Sequence, residues 1–94
     1  MPEEALGYIF VNYVGHISFM TGRNCEPIQM HLPATIRDFL EVLEKKYPGL
    51  KDLFLPSGGI FNSRTGMILR RKAESVPVIN LDHGLEPGDV VTLW

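Results

Sequence analysis

Leu85-Glu86-Pro87-Gly88-Asp89-Val90-Val91-Thr92-Leu93-Trp94 closes the sequence, and its reading decides the fold. Proline fixes φ and glycine accepts backbone conformations that residues with a Cβ avoid, so Pro87-Gly88-Asp89 reads as a tight turn. The apolar, β-branched run behind it reads as a strand launched from that turn. The last residues are therefore expected in a sheet and its core, not in a tail.

Working outward, Tyr8 to Val14 is an aromatic and β-branched run between Gly7 and Gly15, the pattern of a second strand. Ile9, Val11 and Tyr13 fall on one face, with Tyr8, Phe10, Asn12 and Val14 on the other. Asn12 interrupts the second set, so the first is expected to face the core. A loop through Thr21, Gly22, Arg23 and Asn24 leads to Pro27–Leu32, where Ile28, Met30 and Leu32 alternate with Gln29 and His31 and predict a strand wet on one side. The two form a hairpin.

A helix follows. Thr35 supplies a capping hydroxyl and Asp38, three residues on, completes a capping-box pattern at the positive end of the helix dipole. Ile36, Phe39, Leu40, Leu43 and Tyr47 make one apolar stripe, while Arg37, Glu41, Glu44 and Lys45 face out, Glu41 and Lys45 in the favourable i,i+4 order. Pro48 and Gly49 end it, and Leu50, Leu53 and Phe54 suggest a further short turn. Beyond Pro56 the pattern weakens. Ile60–Asn62 predicts a short strand, Ser63–Gly66 a turn, Met67–Leu69 a return and Val76–Leu81 another strand, with Gly58 and Gly59 in a loop. Hairpin, helix, then strands argues for an α+β fold in which a mixed sheet grips one main helix, its first and last strands side by side and parallel.

Ninety-four residues, 45% of them hydrophobic, are enough for one domain with one core, residues 1–94. No apolar run approaches the roughly 20 residues of a membrane span, and the first residues lack a signal peptide's basic region. A cytoplasmic protein without membrane contact is the expectation, and the lone Cys25 agrees with a reducing compartment. A net charge of −2 gives no general attraction to nucleic acid, and Arg70, Arg71 and Lys72 read as a solvated turn. No catalytic residue, metal site or cofactor is expected. Cys25 has only Arg23 near it in sequence, and the three histidines His16, His31 and His83 are widely separated. Ser57, Ser63 and Ser75 lack a nucleophile motif, and no glycine-rich phosphate loop precedes the helix.

Three segments in this order, Val11–Gly22, Ala34–Leu50 and Leu85–Trp94, resemble the β-grasp, ubiquitin-like sulfur carriers, meaning the small subunit of molybdopterin synthase and the related thiamin-pathway carrier. The resemblance implies recognition by protein partners, an activating enzyme or a synthase large subunit. It also implies a mobile Gly-Gly end whose carboxylate is adenylated and converted to a thiocarboxylate. Trp94 stands where that end would begin, and internal Gly58 and Gly59 offer no free carboxylate. The expectation is a carrier-like protein whose sequence to Trp94 cannot itself carry sulfur, or a tail-less ubiquitin-like interaction or regulatory module. The outer sheet face, Tyr8, Phe10 and Val14 with Val90, Thr92 and Trp94, is the candidate partner-binding surface, because clustered exposed aromatics carry large burial energy at interfaces.

Overall fold

A computed structural model describes residues 5–56 and 61–94. In chain order the elements are β1 (Ala5–Tyr13), α1 (His16–Thr21), β2 (Cys25–Leu32), β3 (Ala34–Thr35), α2 (Ile36–Lys46), α3 (Leu50–Phe54), β4 (Met67–Arg71), β5 (Glu74–Pro77), β6 (Gly84–Leu85) and β7 (Val90–Leu93). Five strands form one sheet in the order β2-β1-β7-β4-β5, and β3 pairs with β6 in a small second one. The first and last strands are the parallel pair, with Phe10 opposite Val90 and Tyr13 opposite Leu93. The other neighbours in both sheets are antiparallel.

The opening segment folds as its chemistry dictates. Asp89 N–H donates to the Glu86 carbonyl across Pro87 and Gly88, and Gly88 takes φ 87°, the positive φ that the third position of a type II turn demands. Behind the turn Val91 and Leu93 are fully buried. On β1 it is Ile9, Val11 and Tyr13 that face the core, as alternation predicts, and Ile28, Met30 and Leu32 do so on β2. Against this face α2 packs Ile36, Phe39, Leu40 and Leu43. Its capping box is complete: Asp38 N–H donates to Thr35 Oγ1 at 3.3 Å and Thr35 N–H to Asp38 Oδ2 at 3.1 Å.

Several local expectations are corrected. Between β1 and β2 the chain makes the six-residue helix α1, entered at Gly15 (φ 64°), left at Gly22 (φ 73°) and anchored by buried Ile17. One and a half turns are too few to print a helical period. The strand expected to start at Pro27 starts two residues earlier, at Cys25, the first residue of β2. Phe61 and Asn62 are not a strand; Asn62 organises a turn, its N–H donating to the Phe54 carbonyl and its side-chain oxygen accepting from Arg64 N–H. Ser57, Gly58, Gly59 and Ile60 lie outside the described residues. The last hairpin is tighter than expected, since β4 runs on through Arg70 and Arg71, only Lys72 and Ala73 turn, Lys72 at φ 58°, and the strand expected over Val76–Leu81 is instead β5, Glu74–Pro77. Glu41 pairs with Lys51 rather than Lys45. Glu44 is drawn back to accept the N–H groups of Gly49 and Lys51, each at 2.9 Å, and these two bonds hold its carboxyl below the usual range.

Candidate protein-docking surface

The sheet has two faces, and among the described residues helix covers just one of them. Register places Phe10 in a row with Pro27 on β2, Val90 on β7, and Arg70 on β4. The next row holds Cys25, Asn12, Thr92 and Ile68, with Asn12 Nδ2 donating to Thr92 Oγ1 at 3.4 Å. Tyr8 and Leu6 extend the surface at one end, Val14 and Trp94 at the other. Tyr8 and Phe10 are each 48% exposed, Val14 49% and Trp94 39%, while Val90 and Thr92 between them are half-buried. Alternation thus brings all six candidate residues to the same side of β1 and β7. Leu6 and Ile68 join them although sequence reading missed both. Leu6 continues the period of Tyr8 and Phe10 upstream, which was the available signal; Ile68 required the β4–β7 pairing. β4 and β5 widen this face rather than folding over it.

Trp94 is held at both backbone and ring. Its N–H donates to the Gly66 carbonyl at 3.1 Å and its carbonyl accepts Gly66 N–H at 2.9 Å. A Cβ at position 66 would fall inside the indole, so glycine there makes room for the ring to lie across the neighbouring backbone. Beside Phe10 a shallow depression of about 240 Å³ is bordered by Asn12, Cys25 and Pro27. Cys25 is exposed with a free thiol. Arg70 rims the apolar field, and no ion pair involves it among the described residues.

Two buried carboxylates stiffen the frame. Glu26, with 2% of its side chain exposed, sits under the far end of β1 and β2. Lys46 Nζ donates to Oε1 at 2.6 Å, and Tyr13 donates its hydroxyl to Oε2 at 2.6 Å, joined there by the Tyr47 hydroxyl. Burial alone would raise this carboxyl, but the bonds from Lys46, Tyr13 and Tyr47 outweigh it and hold Glu26 below the usual range. The phenols respond oppositely: burial first, then the bond to the Glu26 carboxylate and its charge, push Tyr13 and Tyr47 above the ordinary value of 10.0. Their rings meet edge to face at 6.0 Å. At the opposite end Asp89 accepts a two-pronged bond from Arg71, Nε to Oδ1 at 2.9 Å and Nη2 to Oδ2 at 2.6 Å, and also takes Glu86 N–H at 2.8 Å. Arg71, expected on a solvated turn, therefore locks the turn that starts β7. No buried side-chain polar atom is left unpaired among the described residues, so these clusters have the character of fully satisfied supports. Among the same residues no three His, Cys, Asp or Glu side chains converge as metal ligands would.

A mixed sheet that clasps one main helix, with the parallel strands β1 and β7 side by side in its interior, is the ubiquitin-like β-grasp fold. No protein-family profile and no curated protein sequence matches this chain. Solved structures do. The Haloferax volcanii HVO 2177 protein is similar with TM-score 0.74 and 17% identity, covering 99% of this chain and 86% of that one. Small archaeal modifier protein 1 of the same organism gives TM-score 0.72 and 16% identity, covering 93% and 94%. A Pyrococcus furiosus protein designated molybdopterin converting factor, subunit 1, gives 0.67 and 18%, covering 93% and 94%. At such identities the likeness establishes the fold that the sequence resemblance implied. No helix among the described residues is long and apolar enough to cross a membrane.

Proposed function

We propose that this chain is a single β-grasp module, not itself an enzyme, whose work is to be recognised by other proteins through its outer sheet face, in the manner of a sulfur carrier or a small protein modifier. The observation that carries the reading is the uncovered field of Tyr8, Phe10, Val14 and Trp94 around half-buried Val90 and Thr92. Large rings fixed on a rigid sheet lose little conformational freedom on docking, so their burial converts efficiently to affinity. Similarity to a modifier protein and to a molybdopterin converting factor subunit supports this class, and a cytoplasmic setting accords with it.

An activating enzyme is the partner that the sulfur-carrier resemblance implies. Transfer chemistry requires an extended, glycine-ended segment, because Trp94 itself is bound into the ladder beside Gly66 and cannot reach into a partner's active site. An interaction or regulatory module outside sulfur transfer requires no such segment. Intact mass of the protein isolated from its own cells separates the two. Residues after Trp94 ending in Gly-Gly, together with an oxygen-to-sulfur mass gain on incubation with the activating enzyme of the same cells, ATP and a sulfur donor, support a carrier. A mature chain without such residues, or one that never gains sulfur, supports the interaction module instead.

A further inference from the structure

The pairing register fixes which residues of the five strands point outward. Among the described residues Arg70 is the only Arg or Lys at such a position, and no Asp or Glu occupies one. That is a marked asymmetry in a chain with 11 acidic and 9 basic residues. The described carboxylates sit instead on α2 and α3, in turns, or, as Glu26 and Glu74, in phase with the inner side of their strands. Arg71, the next residue, points to that inner side and is engaged by Asp89. Arg70 is exposed, and no ion pair involves it among the described residues. Its row across the sheet runs Phe10, Val90, Arg70 and Ser75. Neighbouring strands lie about 4.8 Å apart, so Phe10 and Arg70, with β7 between them, stand about 10 Å apart at their backbones.

We propose that Arg70 selects the partner on this face: the docking protein carries an Asp or Glu that pairs with Arg70, about 10 Å from the apolar group that covers Phe10. The inference rests on the reading of the outer face as a protein-docking surface and adds the chemistry of what docks there. A partner that covers Phe10 and Val90 also strips water from the cation beside them, which is strongly disfavoured unless an opposite charge meets it. A carboxylate answers the planar guanidinium with two parallel hydrogen bonds, so it fixes register as well as sign. A partner with Lys or Arg at that point is rejected by like charge. A second copy of this chain is a poor occupant, because two such faces brought together supply cations and no carboxylate.

Calorimetric titration of the full chain with the activating enzyme of its own cells tests the pairing. Phe10→Ser, the check on the face itself, should weaken binding about tenfold or more. Arg70→Gln should weaken it about tenfold or more, and Arg70→Glu about tenfold further, because a carboxylate then faces a carboxylate. Melting temperatures of both should stay nearly unchanged, since Arg70 is exposed. Arg70→Lys keeps the charge and should bind more tightly than Arg70→Gln. In its complex with the enzyme, a water-soluble carbodiimide should join the amine at position 70 to an Asp or Glu of the enzyme with loss of water, as peptide mass spectrometry reads. Replacing that acidic residue by Arg should restore binding to the Arg70→Glu protein. Arg70→Gln and Arg70→Glu binding within about twofold of the unchanged protein, alongside a weakened Phe10→Ser, would overturn the inference and leave the reading of the face standing. A set of carbodiimide bridges that never includes position 70 would do the same. Undiminished binding by Phe10→Ser, or no binding by the unchanged protein, would overturn the reading and the inference together. Concentration-dependent dimers abolished by Arg70→Glu would assign the face to a second copy and overturn the inference equally.

Discussion

Removing the Glu26 carboxylate tests the most heavily bonded point of the frame. In Glu26→Ala the Tyr13 hydroxyl, on a residue only 3% exposed, loses its acceptor, and a buried donor without a partner costs about 1–3 kcal/mol. Lys46 is 44% exposed and returns to water, so its lost pairing adds only about 0.5–1 kcal/mol after screening; Tyr47, half-buried, adds a similar amount. The small void left by the side chain adds to the loss, while release from burying a charge offsets part of it. The net expectation is about 2–4 kcal/mol. For a domain of this size, whose whole stability is about 5–14 kcal/mol, that lowers the melting temperature by roughly 10–25 °C. Urea unfolding followed by circular dichroism measures it, with the slope unchanged and the midpoint lowered. In the Glu26→Ala background Tyr13→Phe should cost far less than in the wild type, because the hydroxyl it removes is already without a partner. A loss below about 1 kcal/mol, or two substitutions that simply add, would refute the reasoning.

Other consequences can be measured with the same material. Gly66→Ala forces the Trp94 indole off its neighbour, and tryptophan emission should shift to the red with a loss of about 1–3 kcal/mol; an unmoved spectrum would contradict the stacking. Thr35→Ala deletes the cap of α2 and should cost about 1 kcal/mol by denaturant titration, with Thr35→Ser costing much less. The pH profile of stability should fall away on both sides. Glu26 is depressed in the folded state, so its contribution is present above the ordinary value of 4.5 and is lost as pH falls through the folded pKa. Tyr13 and Tyr47 are raised, so theirs is present below 10.0 and is lost as pH climbs through their folded values. Ultraviolet titration of the phenols checks the second limb, and Tyr13 ionising at the ordinary value would contradict it.

Elements whose instructions are local were legible. Pro87-Gly88 specifies its turn, Thr35 and Asp38 specify the start of α2, and the alternation of Ile28, Met30 and Leu32 specifies the buried side of β2. The outer face was legible for the same reason, since Tyr8 and Phe10 must oppose Ile9 and Val11. What escaped needed partners distant in sequence. Glu26 lies in phase with Ile28 and Met30, which hints that it points inward, but a carboxylate there makes sense only once Tyr13, Lys46 and Tyr47 converge on it. Arg71 looks like one of three solvated cations until β4 is seen to lie beside the turn holding Asp89, 18 residues away. The helix α1 is too short for its period to show, and its signal was only the pair Gly15 and Gly22.

The account rests on one face of the sheet building the core while the other is left for a partner, and paired substitutions of adjacent residues on β1 separate these roles. Ile9→Ala, at a fully buried position, should lose about 2–5 kcal/mol of stability, and Phe10→Ser, at one 48% exposed, less than about 1 kcal/mol. Calorimetric titration of the Phe10→Ser protein with the activating enzyme of its own cells should then show binding weakened about tenfold or more at nearly unchanged melting temperature. Undiminished binding by that variant, or a melting temperature that falls as far as in Ile9→Ala, would contradict the account.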